Sequence, residues 1–539
     1  MRTRNSDTLL APALLFGLSC LILAPTLIYP YGRDQGIFGY AGHAVLGGGV
    51  PFRDFWDPKP PALYYVYALA ELLFGYSMAS IRILDLLWQA AAAVVISRIA
   101  RRVSGSGGTA LAAGLIYVLA YASTGWWSTA QPDDFLNLPL AGAVLLTLRA
   151  CGRGRAPGVS FCIGLLAACA FYFKYPMGAM LPVCMACLAA TRGARRAAAD
   201  IVWMAAGFVL VAGGYAVYLH GAGAWREFLY AEFVWVGRYA RLGEGTGGLG
   251  ALLHLRDILN SHFSVTALGA LALAGVAWAA VRRHVNAAGA LVAFWAAVAL
   301  LNLYIQNKFY LYHFGPLLAP LSIGASAVAV APFDSGNRPG LRLAAALGAV
   351  AAVVVSYMAV NPRYNAYCLK TYADTAGACA SRAIAKKPLD GYYRNVRFTS
   401  DDFSLPADLA VAEYLDRNTA GNDTVFVWGY ETLVYFLARR GCPSRFVHNF
   451  PLRCAWVPER FGDELLASLD RERPKYILVL VNDPAWWATG TREDSLRALR
   501  RYPGIERLIA SRYAPEGRIE DFLLFRLRGR EAGRDGNAR

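Results

Sequence analysis

The sequence predicts a mostly α-helical, polytopic membrane bundle of about eleven spans, carrying a small α/β domain at its C-terminal end. Three observations predict it. Of 539 residues, 56% are hydrophobic and 17% charged, with a mean hydropathy of +0.35, a balance of membrane rather than soluble chains. Apolar windows recur near 9–29, 79–98, 108–124, 134–150, 158–173, 176–190, 200–219, 263–281, 285–304, 313–332 and 341–360. After residue 361 the windows stop, and short apolar runs separated by polar turns take over.

The first window is longer than a signal-peptide core and no small-x-small cleavage site follows, so it reads as an uncleaved first helix. Several later windows fall short of the ~20 residues a straight span needs, which tilt or burial within the bundle accommodates. Arginines gather at 2/4, 98/101/102, 153/155, 192/195/196, 282/283 and 338/342, that is, in every second connection. The positive-inside rule then places the N-terminus and those loops in the cytoplasm. Residues 361–539 fall on the other side. The expected organisation is a transmembrane domain over 1–360, an extracytoplasmic α/β domain over 361–528 and a disordered polar tail over 529–539. The net charge of +16 resides in these anchoring clusters, which suit anionic lipid. No nucleic-acid-binding signature accompanies it.

Loops 30–78, 125–133, 174–175, 220–262 and 305–312 share the outer side. Residues 62–77, apolar and aromatic with Glu71, suit a helix lying in the interface. In the C-terminal region 424–429, 476–481 and 522–527 read as strands and 431–440 as a helix. Six cysteines lie in or beside spans, where a thiol behaves as a small hydrophobe. Cys368, Cys379, Cys442 and Cys454 lie in the exported region. The even number fits local bridges Cys368–Cys379 and Cys442–Cys454, although four cysteines allow three connectivities.

The chemistry concentrates in the first outer loop. Asp34, Asp54 and Asp57, with Arg33, Arg53 and Lys59, fall among aromatics within a few turns of chain. Packing gives no reason to collect them at one membrane edge. The order of features is an apolar span, Tyr31-x-x-Asp34-Gln35-Gly36-x-x-x-Tyr40, then Gly47-Gly-Gly-Val50-Pro-Phe-Arg53-Asp-Phe55, Asp57-Pro-Lys59-Pro-Pro61, Leu73-Phe-Gly75 and Arg82. Further on come Gln131-Pro-Asp133-Asp134, Lys174-Tyr-Pro176, Lys308-Phe-Tyr-Leu-Tyr-His313-Phe-Gly-Pro316 and Val427-Trp-Gly-Tyr-Glu431.

This pattern resembles the C-type integral-membrane glycosyltransferases, in the branch of the lipid A aminoarabinose transferases and protein O-mannosyltransferases. The resemblance covers the membrane region and is most specific over 31–82. It implies a polyprenyl-phosphate-linked sugar donor, a cell-envelope acceptor, an extracytoplasmic site and an inverting transfer. With the Ala, Gly and Arg content, it implies a bacterial inner membrane. Many relatives carry an acidic pair where this chain has Asp34-Gln35. One carboxylate there leaves the participation of a divalent metal open, and no cofactor is required.

The residues fit that chemistry. An inverting transfer needs one base for the acceptor hydroxyl, and cations for the charge developing on the phosphate. Asp34 fits either the base or an interfacial residue paired with Arg33; Lys59, with Arg33 or Arg53, supplies the cations. Lys59 also fits lipid snorkelling, but its Pro58-Lys59-Pro60-Pro61 setting fixes the backbone around it. Asp133 and Asp134 fit either a helix cap or a hold on acceptor or sugar. Lys174, at a tight hairpin, is costly unless paired and suits a donor-phosphate contact. Lys308 and His313 flank aromatics, His313 being either a satisfied interfacial histidine or a sugar or phosphate ligand. Asp57 completes the candidate donor-phosphate and sugar-binding set. A lipid-linked-glycan transporter is the alternative, but transporters place ionisable groups at the midplane, whereas these lie in loops of one side. Gly243-Glu-Gly-Thr-Gly-Gly248 follows no strand and reads as a flexible loop.

Overall fold

The computed structural model describes residues 7–152, 154–242, 286–330, 362–385, 390–395, 399–400 and 402–528, with isolated positions 269, 272, 348 and 351. The apolar windows 263–281 and 341–360, the glycine loop at 243–248, the tail from 529 and the arginines at 2, 4, 153, 282, 283, 338 and 342 lie outside these residues. The chain forms two compact units, Met1–Pro30 with Lys59–Trp225 and Gly243–Lys387, and Tyr31–Pro58 with Arg226–Leu242 and Pro388–Arg539. Each contains segments far apart in sequence.

The first unit is helical. The other nine apolar windows all lie on its helices, which include Asp7–Leu23, Met78–Ser104, Gly107–Ala122, Asn137–Cys151, Pro157–Phe173, Met180–Arg192, Ala194–Gly221, Ala287–Gln306 and Gly315–Val330. Among the described residues, five stretches are helical, long and apolar enough to cross a membrane: Leu10–Ile28, Met78–Ser104, Pro132–Cys151, Ala194–Gly221 and Ala287–Gln306. The protein is a multi-pass membrane protein. Residues 62–77 contribute the helix Ala62–Phe74.

Local chemistry sets the turns. Met78–Ser104 stops at Gly105, whose φ of 73° is left-handed. Ser106 then caps Gly107–Ala122, its side chain accepting from the Thr109 amide at 3.1 Å. Two glycines let Pro157–Phe173 and Ala194–Gly221 meet backbone to backbone. A Cβ on Gly164 would lie 1.9 Å from the Met204 carbonyl, and one on Gly207 2.2 Å from that of Phe161. Membrane helices associate through such small residues because lipid gives apolar side chains no reason to prefer protein.

Two polar groups inside the unit are held by well-made hydrogen bonds. Arg82, fully buried, donates to the carbonyls of Tyr29, Pro30 and Thr129 and to the Thr129 hydroxyl. Asp85 accepts from Tyr121 at 2.5 Å and from Gln89 at 3.0 Å, and Tyr117 donates to Gln89 at 2.6 Å. The helix Pro362–Ala385 belongs here too, with Tyr372 donating to the Ile22 carbonyl and the Cys379 thiol 3.8 Å from that of Ala24. The expected division at 360/361 therefore does not coincide with the boundary between compact units, which falls after Lys387.

The second unit is α/β. A two-residue ribbon, β1 (Thr399–Ser400) with β2 (Phe403–Ser404), precedes a four-stranded sheet of β3 (Val425–Trp428), β4 (Tyr476–Leu480), β5 (Tyr513–Ile519) and β6 (Phe522–Leu527). Its order is β3-β4-β6-β5. β3 and β4 run parallel, with Val425 opposite Tyr476. A parallel pair needs a long crossover, and the segment containing Leu433–Ala438 and Glu459–Glu472 provides it. β3, β4 and β6 match the runs at 424–429, 476–481 and 522–527; the helix expected over 431–440 is confined to Leu433–Ala438. β5 was not foreseen. It is a largely exposed edge strand with Pro515 and a bulge between Pro515 and Gly517, a setting where proline is tolerated.

The core of this unit joins Val411, Leu415, Val425, Val427, Val434, Leu478 and Leu524. The first outer loop belongs to it. Its helix Arg33–Leu46 packs on Leu433–Ala438 so closely that a Cβ on Gly36 would lie 2.6 Å from that of Leu433. Tyr40 accepts from the Cys442 amide at 3.2 Å. Arg445 ties in 226–242, reaching Glu227 at 2.9 Å, Glu464 at 2.6 Å and the Phe52 carbonyl at 3.0 Å.

The expected disulfides are corrected. Cys368 and Cys379 lie on one helix, so eleven residues of rise separate them by about 16 Å, beyond the reach of a bridge. Cys442 and Cys454 are not bridged, Cys442 standing beside the Phe446 carbonyl and Cys454 beside those of Phe450 and Ala488.

Candidate active site

Two polar clusters are built, one in each unit. In the helical unit the turn Pro132–Phe135 precedes Asn137–Cys151. The two aspartates divide the roles left open by the sequence. Asp134 closes a capping box, its side chain accepting from the Gln131 amide at 3.2 Å. Asp133, fully buried, instead pairs with Lys174, Nζ to Oδ2 3.0 Å. Lys174 is where Pro157–Phe173 ends, and its ammonium also donates to Gln306 Oε1 at 2.6 Å. Three separate helix ends thus converge on one cation.

The turn Leu311–Phe314 packs against Pro132–Phe135. Gly315 permits the approach, since a Cβ there would lie 2.9 Å from Asp134 Oδ1 and 3.0 Å from the Asp133 carbonyl. Lys59 donates to the Tyr312 hydroxyl at 3.3 Å, its ammonium 5.2 Å from that ring's centre. His313 is buried against Tyr310 and Tyr312, and Lys308 is buried beside the same turn. Lys59, Asp133, Asp134, Lys174, Lys308 and His313 thus all belong to this unit, with Gln306 and Tyr312 as partners the sequence reading missed. Both stand within the run from Gln306 to Pro316, where the apolar span ends in polar and aromatic residues.

In the α/β unit the cluster centres on Arg33. It opens the helix Arg33–Leu46, whose preceding Gly32 amide is held by Gln35 Oε1 at 3.0 Å. The guanidinium meets Glu431 Oε1 at 2.7 Å and Asp402 Oδ2 at 3.0 Å, with its Cζ 4.9 Å from the centre of the Tyr430 ring. Arg33, expected at a donor phosphate, has its fork occupied by two carboxylates of its own unit. Burial pushes the Glu431 carboxyl up to about 7 against the opposing pull of Arg33. Burial, reinforced by the nearby Glu431 charge, also raises Asp408 well above the usual carboxylate range.

Asp34 stands in the first turn of the same helix and is buried at its edge, with 9% exposure. Asp57 is buried and lies 3.5 Å from His448 Nε2. Arg53 is half-exposed and paired with its neighbour Asp54 at 2.7 Å. The sequence reading missed His448, Asp402 and Asp408; their partners Asp57 and Arg33 are hundreds of residues away, and no spacing signals them. Among the described residues no three metal-ligating side chains come together.

Residues 58–214 match the family described as dolichyl-phosphate-mannose-protein mannosyltransferase. The stretch contains Lys59, Asp133, Asp134 and Lys174. Crystal structures of ArnT from Cupriavidus metallidurans, bound to undecaprenyl phosphate and in the apo state, align over 95% of this chain and 97% of theirs. Their TM-score is 0.57 at 14% and 13% identity. The archaeal oligosaccharyltransferase AglB from Archaeoglobus fulgidus, in complex with an inhibitory peptide and a dolichol-phosphate, aligns over 90% of this chain and 72% of its own. Its TM-score is 0.50 at 14% identity. No curated protein matches the sequence. The chain has the fold of the C-type integral-membrane glycosyltransferases. Residues 58–214 are, besides, similar in sequence to the dolichyl-phosphate-mannose-protein mannosyltransferase family.

Proposed function

We propose that the protein is an inverting glycosyltransferase that moves a sugar from a polyprenyl-phosphate donor to a hydroxyl of an extracytoplasmic cell-envelope acceptor. The observation that carries this reading is Lys174. A buried ammonium among apolar helices is expensive, yet Lys174, which lies in the family-matched stretch, is held in place by Asp133 of that stretch and by Gln306 beyond it. Lys59 and Lys308 add positive charge to the same unit. Such a set suits a lipid phosphate, whose negative charge grows as the glycosidic bond breaks.

In the step itself the acceptor oxygen attacks the anomeric carbon. The bond from that carbon to the phosphate oxygen breaks, and the phosphate leaves with the electron pair. The acceptor proton passes to the Asp34 carboxylate. Inversion follows from attack opposite the leaving group, and no metal is needed to form the nucleophile. The arginine-rich connections support an N-terminus in the cytoplasm and an α/β unit outside, and the reading puts the protein in a bacterial inner membrane.

The test is genetic and chemical together. A deletion strain is complemented with the wild type or with Asp34→Asn, and lipid-linked sugars and envelope glycans are profiled. Asp34→Asn should accumulate the polyprenyl-phosphate sugar and lose the glycan, because general-base assistance contributes ~10²–10⁴-fold in rate. Binding of polyprenyl phosphate to the purified variant should stay near normal. Full complementation by Asp34→Asn would remove the base from this position and make Asp57 the next residue to test. A deletion that changes neither the lipid-linked sugars nor the glycans would end the transferase reading.

A further inference from the structure

One pair of reactive side chains is brought together outside the two clusters. Cys151 ends the helix Asn137–Cys151, Cys187 lies on Met180–Arg192, and their sulfurs are 3.9 Å apart. Both thiols are free and neither is fully buried, whereas Cys184 on the same helix is. The two helices pack along each other. The segments entering their other ends carry Asp133 and Lys174, which are ion-paired. Near the thiols the chain continues into connections with Arg153 and Arg155 on one side and Arg192, Arg195 and Arg196 on the other. Disulfide sulfurs are about 2 Å apart, so closing the gap takes side-chain rotation and a small helix adjustment, not a rearrangement.

We propose that Cys151 and Cys187 form a redox modification site, a dithiol that a peroxide closes to a reversible disulfide. The first thiolate attacks a peroxide oxygen; the O–O bond breaks, one water leaves and a sulfenic acid forms. The second thiolate attacks that sulfur. The S–S bond forms, the S–O bond breaks and a second water leaves. Two thiols and one peroxide thus give one disulfide and two waters, and a dithiol reductant reverses the change by exchange. The proposal rests on the orientation given above, which puts this end in the cytoplasm, where thiols are kept reduced and disulfides are transient. The bond ties the inner ends of the helices whose outer ends lead to Asp133 and Lys174.

The experiment uses the full chain in native membranes. Cells are treated with hydrogen peroxide or left untreated, free thiols are blocked with N-ethylmaleimide, and the cysteine peptides are mapped by mass. The expected result is that the Cys151 and Cys187 peptides are alkylated without peroxide, and after it are cross-linked with the loss of two hydrogens. Dithiothreitol restores the thiols, and Cys184→Ser still forms the link. Cys162 and Cys169, exposed on Pro157–Phe173, report general thiol access. Cys151 and Cys187 still alkylated after peroxide, or a link from Cys187 to Cys184, would overturn the proposal. So would a link already present in untreated cells. Impermeant-reagent labelling of an exposed position near Arg195 reads the orientation separately, so its failure is distinguishable from that of the thiol pair.

Discussion

A lysine buried beside one aspartate is stable only as a pair, and this makes Lys174 the sharpest residue-scale test. Lys174→Met leaves Asp133 as an uncompensated buried charge, at a cost of about 3–5 kcal/mol. The double variant Lys174→Met with Asp133→Asn removes both charges, so it should regain much of the thermal stability in detergent while remaining inactive in complementation. Recovery of activity together with stability would show that the pair is structural only. Glu431 gives a second prediction. Its folded value, about 7, lies above its ordinary 4.5, so the folded state holds the proton more tightly than the unfolded one. The stabilisation is complete below about pH 4.5 and is lost as pH rises through 7. Glu431→Gln should flatten that part of the melting-temperature profile, and an unchanged slope from pH 5 to 7.5 would refute the assignment. At this scale the sequence revealed which residues are chemically unusual, but not their partners. Asp133 and Asp134 are adjacent and alike in sequence; only the turn geometry makes one a cap and the other the partner of Lys174.

Elements were legible where their cause is local. Nine apolar windows became helices because a span must satisfy its own backbone hydrogen bonds in lipid. Strands β3, β4 and β6 are short, apolar runs bounded by turn residues. β5 was missed because an exposed edge strand lacks the buried alternation that marks a strand in sequence. The helix pair Pro157–Phe173 and Ala194–Gly221 yields a packing prediction. Gly164→Ala forces a methyl into the Met204 carbonyl and should destabilise by about 1–3 kcal/mol through overpacking. Gly213→Ala on the partner helix Ala194–Gly221, with Val209 Cγ1 at 3.8 Å as its nearest atom, should be neutral or slightly stabilising. Thermal unfolding of the two purified variants checks this. Equal effects would mean that the helices separate at little cost.

For the whole molecule, the testable quantity is topology. A single cysteine at Ser511, exposed in the α/β unit, should react in intact cells with a membrane-impermeant maleimide above the background of the native cysteines. One at Arg195, in an arginine-rich connection, should react only after permeabilisation. The reverse pattern would invert the orientation and, with it, the compartment proposed for transfer.

Hydrophobicity and charge act over a few turns of chain, so the sequence by itself determined the class: many apolar helices, alternating positive connections, a small α/β region and a chemically dense first loop. Tertiary structure alone decided how these pieces group. The first outer loop and residues 226–242 fold with the C-terminal sheet, while Pro362–Ala385 joins the helices. It also set Arg33 against Glu431 and Asp402, and left Cys442 and Cys454 unbridged. The reason is physical. Ion pairs and thiol contacts depend on distances of a few ångströms between residues that can be hundreds apart in the chain, and no local pattern in the sequence records those distances.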